Sequence, residues 1–182
     1  MTEEKYPFRF KTVLFGNEGV GKTALVERFV NNVFKEEYIT TLGYQIYQKT
    51  IEYKNFEIGL VIFDIGGQKQ YDMLREQYAA GANNAFLVYD VTDATSFERI
   101  IEWKKDLDEY SRNIPFVMIG NKIDLESERQ VSTESAEKMA NQLEAIKFFE
   151  TSAKTGEGVE NAFEELAILT LKSVINMTSF QT

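Results

Sequence analysis

The chain has 182 residues, which suits one domain with a full hydrophobic core, and we expect a single domain over residues 1–182 with its core at about 8–175. Its net charge of −9 argues against a diffuse basic surface for nucleic acid or an anionic membrane, although a local loop can still bind a phosphate. With neither cysteine nor histidine, the chain excludes disulfides, thiolate catalysis, cysteine–zinc sites and histidine-mediated proton transfer, so any chemistry must use carboxylates, amides, lysines, backbone groups or a metal.

Apolar, β-rich runs alternate with amphipathic helical ones along the chain. Strands are predicted at residues 8–15, 42–51, 56–64, 85–89, 115–119 and, more weakly, 146–149. The second and third of these form a plausible antiparallel hairpin, whereas the short apolar runs after them are typical of buried parallel strands.

Amphipathic helices are predicted between these strands. The first covers residues 22–32, and two more are indicated by apolar faces made of Phe97, Ile100, Ile101 and Leu107, and of Val159, Ala162, Phe163, Leu166 and Ala167. We interpret these faces as core. The alternation predicts a doubly wound α/β fold, with a six-stranded, mixed but mostly parallel sheet flanked by helices.

Residues 16–23, GNEGVGKT, match the phosphate-loop pattern G-x-x-x-x-G-K-[ST] between a predicted strand and a predicted helix. Glycines let backbone N–H groups converge on an anion, and the helix N-terminus adds donors and partial positive charge. Lys22 would reach the β- and γ-phosphates and Thr23 would ligate Mg²⁺. The alternative is a tight turn with no ligand. The residues predicted to bind nucleotide here are Glu18, Gly19, Val20, Gly21, Lys22, Thr23 and Ala24.

The segment VIFDIGGQ, residues 61–68, places an acid at the end of a buried strand. Because a buried acid is costly unless it is paired or near a metal, Asp64 is predicted to hold Mg²⁺ through its water shell. Two glycines follow, whose backbone can approach a phosphate. Gln68 offers both a donor and an acceptor, which suits orienting a water molecule.

The turn Asn121-Lys122-Ile123-Asp124 follows another apolar strand. The Asp124 carboxylate can accept two parallel hydrogen bonds, from the N1–H and the 2-amino group of guanine. Adenine lacks that donor pair, so the acid would discriminate against it.

The segments GNEGVGKT, DIGGQ, NKID and TSAK resemble, in order and approximate spacing, those of the Ras superfamily of small GTPases. The resemblance covers nearly the whole chain. The stretch LVYDVTDATSF, the following Trp103 and residues 38–43 look most like the Rab and Ras branches, whereas DIGGQ looks more like the Arf branch. The fold that this resemblance implies is the small G domain, a P-loop NTPase.

The resemblance implies two switch segments, at residues 34–43 and 64–78, that respond to the γ-phosphate. It assigns Mg²⁺ to Thr23, Thr41 and Asp64, and catalysis to Gln68, the Gly67 N–H and Lys22. Further nucleotide contacts are implied at Phe34, which lies against guanine, and at Tyr38, Thr41, Gly67, Asn121, Lys122, Asp124, Ser152, Ala153 and Lys154.

The resemblance implies a slow enzyme that binds GTP with Mg²⁺ and hydrolyses it to GDP. It also implies a switch in trafficking or signalling, which presents the switch segments to effectors, exchange factors and GTPase-activating proteins. Two alternatives stay open: a P-loop ATPase or nucleotide kinase, and a GTP-binding interaction module with little turnover.

Glu18 borders the space through which an activating protein's arginine would reach the γ-phosphate. Our hypothesis is that Glu18 crowds Gln68 and slows hydrolysis, the alternative being a solvated loop acid.

The expected location is the cytoplasm, as a monomer without nucleic-acid partners. No apolar run has the length needed to span a bilayer, and because the sequence has no cysteine we expect neither prenylation nor another direct lipid anchor. Any peripheral association with membranes is therefore expected to go through a partner.

Overall fold

The computed structural model describes residues 5–35 and 40–179, so Tyr38 lies outside the described residues. The strands are β1 (Tyr6–Phe15), β2 (Tyr44–Tyr53), β3 (Phe56–Ile65), β4 (Asn84–Asp90), β5 (Phe116–Asn121) and β6 (Lys147–Thr151). The α-helices are α1 (Lys22–Asn31), α2 (Asp72–Ala79), α3 (Ala94–Glu98), α4 (Ile100–Ser111), α5 (Thr133–Gln142) and α6 (Val159–Ser179). Two short 3₁₀ segments lie at Lys69–Tyr71 and Ile123–Glu128.

The six strands form one sheet in the order β2-β3-β1-β4-β5-β6. All neighbouring strands are parallel except β2 and β3, whose antiparallel pairing closes at Tyr53 and Phe56. The predicted doubly wound, mostly parallel sheet and its edge hairpin are therefore confirmed. The sheet order reverses direction at β1, which is where open α/β sheets form their ligand-binding crevice.

Helices cover both faces of the sheet, and each face has its own apolar cluster. Helices α1 and α6 pack on one face, and α2, α4 and α5 pack on the other. In β1, Leu14 belongs to the first cluster while Val13 and Phe15 belong to the second. This two-sided burial explains why the strands are continuously apolar rather than alternating. Within the described residues, no helix combines the length and the apolar character required to cross a bilayer.

The predicted apolar face of the 97–107 region is partly wrong. Ile100 and Leu107 are fully buried, but Ile101 is 44% exposed and Trp103 is buried in its place. The prediction assumed one continuous helix. In the structure, α3 ends at Glu98 and α4 begins at Ile100. The apolar spacing of α3 therefore does not continue into α4, whose buried positions are set independently. The face predicted for α6 is fully buried, as expected.

Candidate functional site

The carboxyl ends of the parallel strands surround a cavity of about 630 Å³. Most of the predicted site residues line it: Glu18, Gly19, Gly21, Lys22, Thr23, Ala24, Phe34, Thr41, Gly67, Gln68, Asn121, Lys122, Asp124, Ala153 and Lys154. Segments that are far apart in the sequence thus meet at one site, at the position that a doubly wound sheet reserves for ligands.

Three predicted residues support the cavity from behind. The Val20 side chain is buried in the core, and Asp64 and Ser152 are fully buried. The cavity is also lined by Lys35, Thr40 and Gly66, which belong to the predicted switch segments, and by three residues that sequence reasoning missed, namely Glu27, Gln45 and Leu125. Helical spacing could have found Glu27, because it follows Thr23 by one turn of α1.

The phosphate loop ends at Gly21, whose φ of 97° is a left-handed conformation that favours glycine. A Cβ at this position would lie only 2.3 Å from Asn121 Nδ2, so the space also requires glycine. The N-cap residue of α1 is this same glycine, which has no side chain to cap the helix. The start of a helix carries N–H donors of the kind that bind anions, and anion binding here stays a prediction.

Lys22 closes the loop with a nearly buried ammonium group. Its Nζ donates to the carbonyl oxygens of Gly16 (2.7 Å) and Asn17 (2.8 Å). Burial lowers the pKa of Lys22 to about 8, and the nearby Asp64 carboxylate partly opposes this shift. The group stays charged at neutral pH, and an ammonium has three donors, so one remains for a phosphate.

Three oxygens meet beneath the loop. Thr23 Oγ1 donates to Asp64 Oδ2 at 2.5 Å and lies 2.6 Å from Thr41 Oγ1. Since a hydroxyl has one proton, Thr41 must be the donor to Thr23. Burial raises the pKa of Asp64, against the hydrogen bond from Thr23 and the charge of Lys22. Asp64 Oδ1 is buried and has no hydrogen-bond partner among the residues that the structure describes.

Gly67 lies directly on the backbone of the phosphate loop. A Cβ on Gly67 would lie 2.5 Å from the Glu18 nitrogen and 2.7 Å from the Gly16 oxygen, so no other residue would permit this approach. The next residue, Gln68, donates from Nε2 to Glu18 Oε1 at 2.8 Å. Thr40 Oγ1 donates to the same oxygen at 3.2 Å. Glu18 thus contacts both predicted switch segments, and its expected contact with Gln68 is present.

A buried arginine that sequence reasoning missed holds the backbone around Gly67. Arg75 is 2% exposed, and its Nη1 donates to the carbonyls of Gly66 (2.6 Å) and Gln68 (3.0 Å). Its guanidinium stacks on Trp103, whose Nε1 donates to Asn17 Oδ1 in the phosphate loop at 2.8 Å. These side chains link α4, the second predicted switch segment and the phosphate loop.

Asn121 joins three segments at the opposite end of the cavity. Its Nδ2 donates to the Val20 carbonyl at 3.0 Å. Its Oδ1 accepts hydrogen bonds from Thr151 Oγ1 (3.1 Å) and from the Ala153 N–H (3.2 Å). The amide therefore ties the phosphate loop to the loop after β6, and Asn121 positions the walls of the site.

The two charged residues of the same turn are also held in place. Lys122 Nζ pairs with Asp90 Oδ2 at 2.6 Å. Asp124 Oδ1 accepts a hydrogen bond from Ser152 Oγ at 2.6 Å, and that hydroxyl in turn accepts one from the Thr155 N–H. Ser152 thus orients the Asp124 carboxylate, which lines the cavity as a fixed acceptor.

The chain is similar to known proteins over almost all of its length. The Ras family model matches residues 11–172. Ras-related protein Rab-13 from Rattus norvegicus is 40% identical over 163 residues, which cover 89% of this chain and 80% of that protein. Ras-related protein Rab-10 from Caenorhabditis elegans is 39% identical over 183 residues, which cover 100% of this chain and 90% of that protein. Ras-related protein Rab-15 from Homo sapiens is 36% identical over 171 residues, which cover 93% of this chain and 80% of that protein.

Proposed function

The chain belongs to the Ras family and is therefore a GTP-binding GTPase, and we propose that it works as a Mg²⁺-dependent switch that cycles between GTP and GDP states in membrane trafficking. The assignment to trafficking rests on the similarity to Rab proteins. The observation that carries the proposal is the single cavity that Lys22, Gln68 and Asp124 line together.

The residues beneath the phosphate loop fit a magnesium ion. Mg²⁺ prefers hard oxygen ligands and is usually held by one or two carboxylates together with substrate phosphates. Thr41 and Asp64 each offer such an oxygen within hydrogen-bond distance of Thr23 Oγ1, and a cation would compensate the unpartnered Asp64 Oδ1. The described residues hold no cluster of three or more His, Cys, Asp or Glu side chains, so the remaining ligands would be phosphate oxygens and water. The ion would neutralise charge on the β- and γ-phosphates.

The chain's own groups suit phosphoryl transfer by positioning and electrostatics. Lys22 would donate its remaining N–H to a phosphate oxygen, and the Gly67 N–H would donate to the γ-phosphate. Gln68 would orient the attacking water with its amide. Gln68 Nε2 donates to Glu18 and Gln68 Oε1 accepts from Gln70 Nε2, so both polar groups of the amide have partners that would compete with the water.

Guanine would be recognised at the other end of the cavity. The Asp124 carboxylate, oriented by Ser152, would accept the N1–H and 2-amino hydrogen bonds of the base. Phe34 and Lys122 line the same end. We propose that effectors, exchange factors and activating proteins bind at the switch segments, residues 34–43 and 64–78. We also propose that the protein is a cytoplasmic monomer that reaches membranes only through a partner.

Gln68→Leu tests the catalytic assignment. Because leucine fills the same space but cannot orient a water, the single-turnover rate of GTP hydrolysis should fall by about 10-fold to 100-fold. GDP affinity, measured by fluorescence titration, should stay within about twofold because Gln68 makes no ground-state contact with the base. Gln77→Leu, an exposed glutamine on α2, is the matched control and should hydrolyse at the wild-type rate. An unchanged rate in Gln68→Leu would remove Gln68 from the reaction.

Glu18→Gly tests whether the acid of the phosphate loop slows hydrolysis. Loss of the charge-assisted hydrogen bond to Gln68 should raise the single-turnover rate by about threefold to tenfold, because Gln68 Nε2 no longer has the Glu18 carboxylate as a competing partner. Glu18→Gln keeps the size of the side chain and separates the effect of charge from that of bulk. If neither variant changes the intrinsic or the activator-stimulated rate, Glu18 has no part in setting that rate.

A further inference from the structure

Arg28, which belongs to none of the phosphate or base motifs, makes long-range hydrogen bonds to one of them. It lies in the last turn of α1. Its Nε donates to the Ala153 carbonyl at 2.8 Å, and its Nη2 donates to the Lys154 carbonyl at 2.5 Å. Two neighbouring carbonyls of the loop after β6 are thus held by one guanidinium group. Both bonds are charge-assisted and therefore belong to the stronger class of hydrogen bonds.

The loop that Arg28 holds forms one wall of the base end of the cavity. Ala153 and Lys154 line the cavity, whereas Arg28 does not. The Ala153 N–H faces Asn121 Oδ1 and its carbonyl faces Arg28. Asn121 therefore fixes the loop on the cavity side, and Arg28 fixes it from behind.

The same guanidinium also holds the segment that leads to the opposite wall. Its Nη1 donates to Asn32 Oδ1 at 3.1 Å. Asn32 ends α1 in a left-handed conformation, with φ of 54°, and the chain then runs to Phe34, which lines the cavity. One side chain thus connects the loop after β6 with the start of the first switch segment.

We propose that Arg28 is a positioning residue for the guanine end of the site, and that it sets how long a nucleotide stays bound without taking part in hydrolysis. This inference rests on the proposed function, since the bound ligand must be a guanine nucleotide. Helix α1 then serves both ends of the ligand: Lys22 and Thr23 at its first turn face the phosphates, and Arg28 near its end supports the loop beside the base.

The geometry requires arginine rather than any cation. The planar guanidinium presents N–H donors in a fixed fork, which matches the two adjacent carbonyls and Asn32 Oδ1 at once. A lysine in the same place would supply three donors that all radiate from one nitrogen at the end of a flexible stem. These donors do not match the fixed spacing of the guanidinium fork, so we expect lysine to replace this support only in part.

The test is the rate at which a preloaded fluorescent GDP dissociates from Arg28→Gln in Mg²⁺ buffer with excess unlabelled GDP. Losing the two charge-assisted bonds should speed release by about tenfold or more. Arg28→Lys should fall between this variant and wild type. Hydrolysis of preloaded GTP should stay within about twofold of wild type, because Arg28 lies outside the cavity. Arg9→Gln, an exposed arginine on β1, removes the same charge and should leave both rates unchanged.

Hydrogen exchange over residues 152–156 supplies a second readout. It should be faster in Arg28→Gln than in wild type, and unchanged in Arg9→Gln. Faster exchange with an unchanged release rate would overturn the proposal, because the loop would then not govern nucleotide retention. Equal losses of nucleotide retention and hydrolysis would also overturn it, as they indicate general destabilisation. Failure of the proposed function is separable, because wild-type protein would then not retain GDP at all.

Discussion

Lys22→Ala should weaken binding of GDP and GTP by about 100-fold to 1,000-fold, measured by titration with a fluorescent nucleotide. The Lys22 ammonium donates hydrogen bonds to the Gly16 and Asn17 carbonyls and thereby stabilises the closed shape of the phosphate loop. Alanine removes both this brace and the charge that faces the phosphates. The loss should fall on the phosphate half of the ligand, so the preference for guanine over adenine should persist in whatever binding remains.

Lys11→Ala is the matched control for this substitution. Lys11 is also a partly buried lysine whose pKa is lowered by burial, and its Nζ donates to the Ala80 carbonyl at 2.9 Å. It does not line the cavity, so nucleotide affinity should be unchanged. An affinity of Lys22→Ala within about threefold of wild type would contradict the phosphate-loop assignment, since a lost charge-assisted contact costs more than that.

Asp124→Asn should reverse the base preference, with GDP binding weakened by about 100-fold and xanthosine diphosphate bound in preference to GDP. The Ser152 hydroxyl donates to Asp124 Oδ1, and in the variant it should bond to the amide oxygen. The amide nitrogen would then face the base as a donor, which meets the exocyclic oxygen of xanthine but repels the 2-amino group of guanine. Competition of the two diphosphates against a fluorescent nucleotide measures this reversal.

Glu126→Gln is the control for the loss of an acid in the same turn. Glu126 pairs with Arg129 through an exposed side chain and does not line the cavity. Its loss should leave the base preference unchanged. If Asp124→Asn kept its preference for GDP, Asp124 would not be the base-reading acceptor, and the guanine end of the site would need another donor–acceptor set.

The sheet was predictable because its determinants are local. Short apolar runs define β1, β4 and β5, and the segments between them show the spacing of amphipathic helices. The glycine pattern before Lys22 defines the phosphate loop. The predicted site residues likewise lie in short sequence motifs that follow the strands. Parallel strands bring their carboxyl ends, and with them these motifs, to the same edge of the sheet. This is why most predicted positions line one cavity.

The supporting side chains were not predictable, because their partners are distant in the sequence. Arg28 and the Ala153 carbonyl are 125 positions apart, and Trp103 and Asn17 are 86 apart. No periodic pattern marks such pairs, which meet only when the sheet has formed. The helix break at Arg99 was hidden for a different reason: apolar spacing alone does not reveal where one helix stops and the next begins, and Ile101 was misassigned as a result.

The most direct test of the GTPase switch is phosphate release by purified wild-type protein under single-turnover conditions, with Mg²⁺ and either GTP or ATP. We expect slow release of one phosphate per bound GTP and no release from ATP, because in the proposed site Lys22 and Gln68 would act on the phosphates and Asp124 would admit only guanine. Equal release from the two nucleotides would contradict guanine recognition by Asp124. Tight GTP binding with no release would contradict catalysis by Gln68.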